Sequence, residues 1–379
     1  MKIMFKKEKS LIVCSLFDGM SCLQLALDRL GLKPTKYFAC EIDKYAIQVT
    51  MANFPNTIQL GDVRNIKGSD LGFVHILGGG SPCQSFSFAG NRKGMSTKDN
   101  IEILTLDHYL DLKGQNFEFE GQSYLFWEYM RILEELRVIN PNIKFLLENV
   151  VMGEKWQKIL TRAIGINPIQ INSALVSSQN RNRLYWTNIA TEPDGLFGDF
   201  VCKIPQPKDK GILLKDILET DVDEKYFLSG KMLDYLNSRK SNYNNGKINY
   251  KTENDIASCI NANSGSIDIL DNIIIDTNRK SRCFTAGGNS GGLHSQMDLI
   301  CVAMRGRNPQ NPKSRVAGLP TEQQLEPRTD GIRRLTPTEC ERLQTVPDGY
   351  TDFVSDSQRY KMLGNGWTIS VIEHILSYL

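Results

Sequence analysis

From Leu11 to Gly31 the chain runs through an apolar stretch, a glycine-bearing turn and a segment with apolar residues at helical spacing. Leu11-Ile12-Val13-Cys14-Ser15-Leu16-Phe17 reads as a buried strand, Asp18-Gly19-Met20-Ser21 as a turn, and Cys22 to Leu30 as a helix that Gly31 stops. The order then recurs. Tyr37-Phe38-Ala39-Cys40 is a second strand ending at Glu41, Tyr45 to Asn53 is helical, and Thr57-Ile58-Gln59-Leu60 is a short strand before Gly61-Asp62-Val63. Strand and helix signals that alternate in this way demand βαβ crossovers, so the expected fold is α/β with a doubly wound, mainly parallel sheet. Sheets of that kind bind ligands beyond the carboxyl ends of their strands.

Phe73-Val74-His75-Ile76-Leu77 is a further buried strand, and Gly78-Gly79-Gly80-Ser81-Pro82-Cys83-Gln84-Ser85 follows it. Glycines at a strand exit let the backbone turn sharply and come close to a ligand. Pro82 fixes one dihedral just before the thiol of Cys83. Phe145-Leu146-Leu147-Glu148-Asn149-Val150 is another apolar strand, this one ending in a carboxylate. A thiol and a carboxylate at two strand ends can share one active site. Taken singly, Cys83 reads equally as an ordinary buried cysteine.

The motifs read together resemble the cytosine-C5 DNA methyltransferases. Phe17-Asp18-Gly19, Ser81-Pro82-Cys83-Gln84, Glu148-Asn149-Val150, Gln179-Asn180-Arg181-Asn182-Arg183 and Gly364-Asn365-Gly366 stand in that family's order at plausible spacing. The resemblance implies a Rossmann-like methyltransferase domain over residues 1–188 and 333–379. It also implies a smaller, irregular, β-containing target-recognition domain over 189–332, where Gly, Asn, Ser and Asp become common.

Glu41 follows the first turn by about twenty residues, where an acidic side chain accepts from ribose hydroxyls. Asp62 ends the third strand, within reach of an adenine amino group. Each is read equally as a capping carboxylate; acceptors at three successive strand ends favour an adenosyl ligand. The resemblance makes that ligand S-adenosylmethionine. It implies that Phe17 packs on the adenosyl group and that Asp18, Gly19 and Met20 form the turn beside the methionine end. Ile42, Val63 and Pro82 complete the lining, and Asn365 and Trp367 close it. Two departures stand out: Met20-Ser21-Cys22 has fewer glycines than is usual there, and Gly366-Trp367 replaces small or β-branched residues.

For the chemistry, the resemblance makes Cys83 the nucleophile that adds to cytosine C6, and a protonated Glu148 near N3 the group that offsets the charge developing on the ring. Arg181 and Arg183 alternate along what reads as one strand, so both face one side. One or both would bond cytosine O2 and orient Glu148. The pair is also readable as a surface phosphate or carboxylate contact. A base inside a duplex has to be flipped out to react. Gln84, Ser85 and Ser87 are candidates to close over it, and Arg92 and Lys93 to meet phosphates. Arg305 and Arg307 head a basic cluster in the smaller domain suited to phosphates and base edges. Solvated loop charges are the alternative for these. Gly90 to Gln122 reads as a mobile active-site loop in its first part, with a short helix from Leu106 to Leu112.

A formal charge of +2 leaves any nucleic-acid surface to local clustering. The nine cysteines include no C-x-x-C pair, which argues against a disulfide framework or a structural zinc site and suits a reducing cytoplasm. No metal, membrane span or leader is expected. The expected partner is double-stranded DNA, bound by a monomer. Three rival readings stand beside this one. The RNA branch of the family carries a Cys-Phe-Thr tripeptide, which Cys283-Phe284-Thr285 matches. The others are a catalytically silent binder and a Rossmann-type oxidoreductase with a redox cysteine.

Overall fold

The computed structural model describes residues 10–82, 95–194, 199–228, 250–251, 253–260, 273–275, 307–308, 311–315 and 332–379. Eight strands fall in the first half: β1 (Ile12–Leu16), β2 (Lys36–Cys40), β3 (Ile58–Gln59), β4 (Ile76–Gly79), β5 (Lys144–Val150), β6 (Ile169–Asn172), β7 (Gln179–Asn180) and β8 (Asn182–Thr187). All but β7 form one seven-stranded sheet in the order β3-β2-β1-β4-β5-β8-β6. Strands β1 to β5 are parallel, whereas β8 runs antiparallel to both β5 and β6. The chain builds outward from β1 to β3 and then returns to the other side of β1 with β4. That reversal is the switch point at which such sheets open a crevice.

Five helices accompany these strands: α1 (Cys22–Arg29), α2 (Lys44–Asn53), α3 (Leu106–Gly114), α4 (Phe126–Ile139) and α5 (Glu154–Ile164). Three more close the chain: α6 (Pro337–Leu343), α7 (Asp356–Asn365) and α8 (Ile369–Leu376). Both faces of the sheet are covered, as near-continuous apolar strands require. In β5, Phe145 and Leu147 enter the core beneath α3, α4 and α5, while Leu146 enters the opposite core. That second core gathers α1, α6 and α8, and α1 packs directly on α8. Thr336 caps α6 in a capping box with Glu339, with Pro337 at the first turn.

The stretch after residue 94 is more ordered than its polarity suggests. Bridges join Ser96 to Glu102 and Thr97 to Phe119, and α3 is anchored by the buried Glu128, which pairs with Lys113 and Arg131. Residues 90–94, the start of the loop expected to be mobile, lie outside the described residues. Beyond β8, Ile189, Ile204, Leu214, Ile217 and Tyr226 are buried in the same core as Leu335, Leu343 and Ile369. The Leu228 amide donates to the Ile332 carbonyl at 2.9 Å, so the chain departs and returns side by side at this point. Cys83, Gln84, Ser85, Ser87, Arg92, Lys93, Arg305 and Cys283-Phe284-Thr285 lie outside the described residues. Arg307 belongs to a two-residue strand paired antiparallel with Asn311–Arg315.

Candidate active site

Because β1, β2, β4 and β5 are parallel, their carboxyl ends share one edge of the sheet; Phe17, Glu41 and Gly80 follow from those ends, and Glu148 lies near the end of β5 itself. After β1 the backbone turns through φ values of 57° at Phe17, 59° at Gly19 and 61° at Ser21. Two non-glycine residues in the left-handed region mark a strained turn that its surroundings must hold. Asp18 does part of this. It is buried, accepts from Ser21 Oγ at 2.5 Å and Tyr37 Oη at 2.7 Å, and burial pushes its carboxyl up from 3.8 to about 6. Asp18 is therefore a prop beneath the turn. Met20 likewise points inward, and its carbonyl accepts from Tyr350 Oη at 2.7 Å.

Glu41, just past β2, ties the turn to the next helix. Its Oε2 accepts from the Gly19 amide and its Oε1 from the amides of Ile42 and Asp43, each at 2.8 Å. A carboxylate has about four acceptor positions, so one is left on Oε2. Ile42 beside it is 66% exposed, and Phe17 is half-buried. Asp62 caps the short turn over Val63–Asn65, but both its oxygens are taken by Arg64, whose side-chain hydrogen bonds, partly offset by desolvation, leave that carboxylate below its ordinary range. Val63 is buried, and its carbonyl accepts from Arg131 Nη2 at 3.1 Å.

Next to the switch point, Gly80 leads from β4 into Ser81-Pro82. A Cβ at Gly80 would stand 2.9 Å from Trp367 Nε1 and 3.2 Å from Glu148 Oε2, so any larger residue would force one of these groups to move. Asn149 holds the turn from β5: its Nδ2 donates to Ser81 Oγ at 3.1 Å and to the Ser81 carbonyl at 3.3 Å. Glu148 is buried and its Oε1 forms an ion pair with Arg183 Nε at 3.0 Å. The antiparallel register explains the meeting. Glu148 lies opposite Tyr185, and Arg183 is two residues along on the same face.

The two arginines divide their work. Residue 181 falls between β7 and β8, and its guanidinium donates to the carbonyls of Ile260 at 3.0 Å, Gly364 at 3.2 Å and Gly366 at 2.8 Å. Both arginines do face one side, since each also reaches Cys259 Sγ. But Arg183 alone meets Glu148, while Arg181 is consumed in fixing the loop that carries the exposed Asn365. Among the other cysteines, burial pushes Cys22 up to about 12 and raises Cys202 and Cys340 as well, which leaves those thiols poor nucleophiles. Asn149, Tyr37 and Gln344 are supporting residues that the motif reading did not assign. Only Asn149 had a signal, its place beside Glu148.

A family model described as C-5 cytosine-specific DNA methylase matches residues 11–109 and 172–379. The chain belongs to this family. Membership makes it a cytosine-C5 methyltransferase and implies S-adenosylmethionine as methyl donor. The type II methyltransferase M1.ScrFI of Lactococcus lactis subsp. cremoris is 28% identical over 92% of this chain and 73% of that protein. The orphan methyltransferase M.SPRI of Bacillus phage SPR is 28% identical over 97% of each. Type II methyltransferase M.NlaX of Neisseria lactamica is 26% identical over 96% of this chain and 94% of that one. Among solved structures, the methyltransferase EhMeth of Entamoeba histolytica superposes with a TM-score of 0.63 at 15% identity, covering 98% of each chain. The S. pombe Dnmt2 methyltransferase does so at 0.55 and 13%, covering 97% of each. These likenesses show the methyltransferase fold.

The edge of the sheet fits this methyl donor. Glu41 offers an acceptor position for a hydroxyl, and the exposed Ile42 and half-buried Phe17 offer apolar surface. The Asp62 carboxylate fits less simply, because an amino group there would compete with Arg64. Among the described residues no group of three or more His, Cys, Asp or Glu could hold a metal ion, and no helix is long and apolar enough to cross a membrane.

Proposed function

We propose that this protein transfers a methyl group from S-adenosylmethionine to C5 of a cytosine flipped out of a short, specific duplex DNA sequence, through a covalent bond between Cys83 and C6. The observation that supports this most directly is the pairing of Glu148 with Arg183. It leaves the second carboxyl oxygen beside Gly80, three residues before Cys83. The names of the bacterial and phage relatives support modification of DNA.

Phe17, Gly19, Glu41 and Ile42 would hold the adenosyl end of the methyl donor, with Asn365 closing the pocket. When bound, S-adenosylmethionine supplies an electrophilic methyl group on sulfur. The Cys83 thiolate would add to C6 and make C5 enamine-like and nucleophilic toward that methyl group, whose bond to sulfur would break to release S-adenosylhomocysteine. Glu148 gives a hydrogen bond or proton to N3 as charge builds on the ring. Arg183 fixes the direction of that carboxyl group. Loss of the C5 proton then re-forms the C5–C6 double bond and expels the thiolate. Asn149 keeps the Ser81-Pro82 turn, and hence Cys83, in position.

The segment 189–332 supplies target recognition in this reading. Ile189, Ile204, Leu214, Ile217 and Tyr226 of its first part are buried in the catalytic core, which supports a recognition unit between Leu228 and Ile332. Gln84, Ser85, Ser87, Arg92, Lys93, Arg305 and Arg307 would meet the DNA.

The test is transfer from labelled S-adenosylmethionine to mixed-sequence duplex DNA, with base-resolution mapping of 5-methylcytosine. The expected result is modification at one short recurring sequence, abolished by Cys83→Ala with DNA binding retained. Duplexes carrying 5-fluorocytosine should trap the protein covalently, since fluorine cannot leave as a proton does. Transfer to transfer RNA with none to DNA would overturn the DNA assignment.

A further inference from the structure

The loop from Gly364 to Thr368 is clamped from several sides. Arg181 bonds the Gly364 and Gly366 carbonyls, and Gln344 Nε2 donates to the carbonyls of Leu363 at 2.7 Å and Gly366 at 3.3 Å. A Cβ at Gly366 would stand 2.9 Å from Met20 Cε and 3.4 Å from Cys22 Sγ, so the loop is pressed against the β1–α1 turn. Cys22 Sγ in turn reaches the Trp367 carbonyl.

With its backbone so held, Trp367 presents its indole edge to Gly80. Its Nε1 and Glu148 Oε2 both lie within 3.2 Å of one point above that glycine. The residue is only 8% exposed. Tryptophan nitrogens that deep normally find an acceptor. Among the described residues none stands on Nε1, and the atom is not sealed from solvent. Indole N–H is a donor only, and its nitrogen stands beside Gly80, which the Glu148 carboxyl also approaches.

Resting on the methyl-transfer reading, we infer that Trp367 is a further substrate-contacting residue. Its Nε1–H donates to an oxygen acceptor on one of the bound reactants. That oxygen belongs either to the methyl donor's carboxylate or to the pyrimidine carbonyl.

Trp367→Phe keeps the ring and removes the N–H. The expected result is a loss of about tenfold in kcat/KM, the order of one hydrogen bond to a polar reactant, with an unchanged thermal midpoint. Binding of S-adenosylhomocysteine, measured by calorimetry, separates the two sources. Weakened binding assigns the acceptor to the methyl donor; unchanged binding with the loss confined to turnover on DNA assigns it to the base. A Phe variant equal to an active wild type in both measurements overturns the inference and leaves the methyl-transfer reading intact. A wild type that neither binds S-adenosylhomocysteine nor transfers methyl groups overturns both.

Discussion

Arg183 and Glu148 face each other across an antiparallel strand pair, Nε to Oε1 at 3.0 Å, both side chains mostly buried. The same pair leaves Oε2 beside Gly80. A carboxyl group with one oxygen anchored and the other offered to a ligand is oriented, which a lone strand-end glutamate is not.

Arg183→Lys tests that orientation. Lysine keeps the charge and loses the planar donor fork. Turnover should fall by about a hundredfold, the lower end of the ~10²–10⁴-fold that a positioned acid–base group contributes. Binding of S-adenosylhomocysteine should not change, and kcat measured beside that affinity checks both halves.

Arg181→Lys should behave differently, because Arg181 bonds three main-chain carbonyls rather than Glu148. A buried guanidinium holding carbonyls is worth about 2–4 kcal/mol, and an ammonium cannot span all three. Denaturant unfolding should show a loss of that size, together with weaker cofactor binding as the Gly364–Gly366 loop loosens. A catalytic defect with full stability would contradict this division of roles.

The difference between these two arginines shows where the sequence is legible. Alternation along Gln179 to Arg183 correctly implies a shared side, and both do reach Cys259. It does not reveal the break in pairing at Arg181, nor acceptors at Gly364, 183 residues further on. Strand periodicity is local and survives translation into structure, so the βαβ alternation from β1 to β5 and the places of Glu41 and Asp62 just past their strands follow from it, whereas Glu148, expected to end its strand, lies within β5. Polar partnerships are not local. Tyr37 beneath Asp18, and Arg64 across both oxygens of Asp62, had no pattern to announce them. The antiparallel β8 is similar: its apolar content fits either direction, and only the chain path through β6 decides.

Gly80→Ala probes the close approach at the switch point. The added methyl would meet Trp367 Nε1 at 2.9 Å and Glu148 Oε2 at 3.2 Å. The Trp367 loop is clamped, so the carboxyl must give way. Overpacking of one methyl costs about 1–3 kcal/mol in stability. Turnover should suffer more, by about a hundredfold, since a displacement of about 1 Å at the reacting groups is enough for that. Comparing unfolding free energy with single-turnover rate separates the two effects.

Asp18 gives a prediction in pH. Burial raises its carboxyl from 3.8 to about 6, against the opposing hydrogen bonds of Ser15, Ser21 and Tyr37. A raised acid binds its proton more tightly folded than unfolded. Its contribution to stability is therefore complete below 3.8 and is lost as pH rises through about 6. At roughly 1.36 kcal/mol per pKa unit the loss is about 3 kcal/mol. Asp18→Asn is neutral throughout and has no such slope. Across pH 4 to 7 the wild type should lose stability relative to Asp18→Asn by that amount, read from paired denaturant titrations. Parallel curves would mean that the Asp18 carboxyl is not raised in the fold, the hydrogen bonds it accepts from Ser21 and Tyr37 then offsetting its burial.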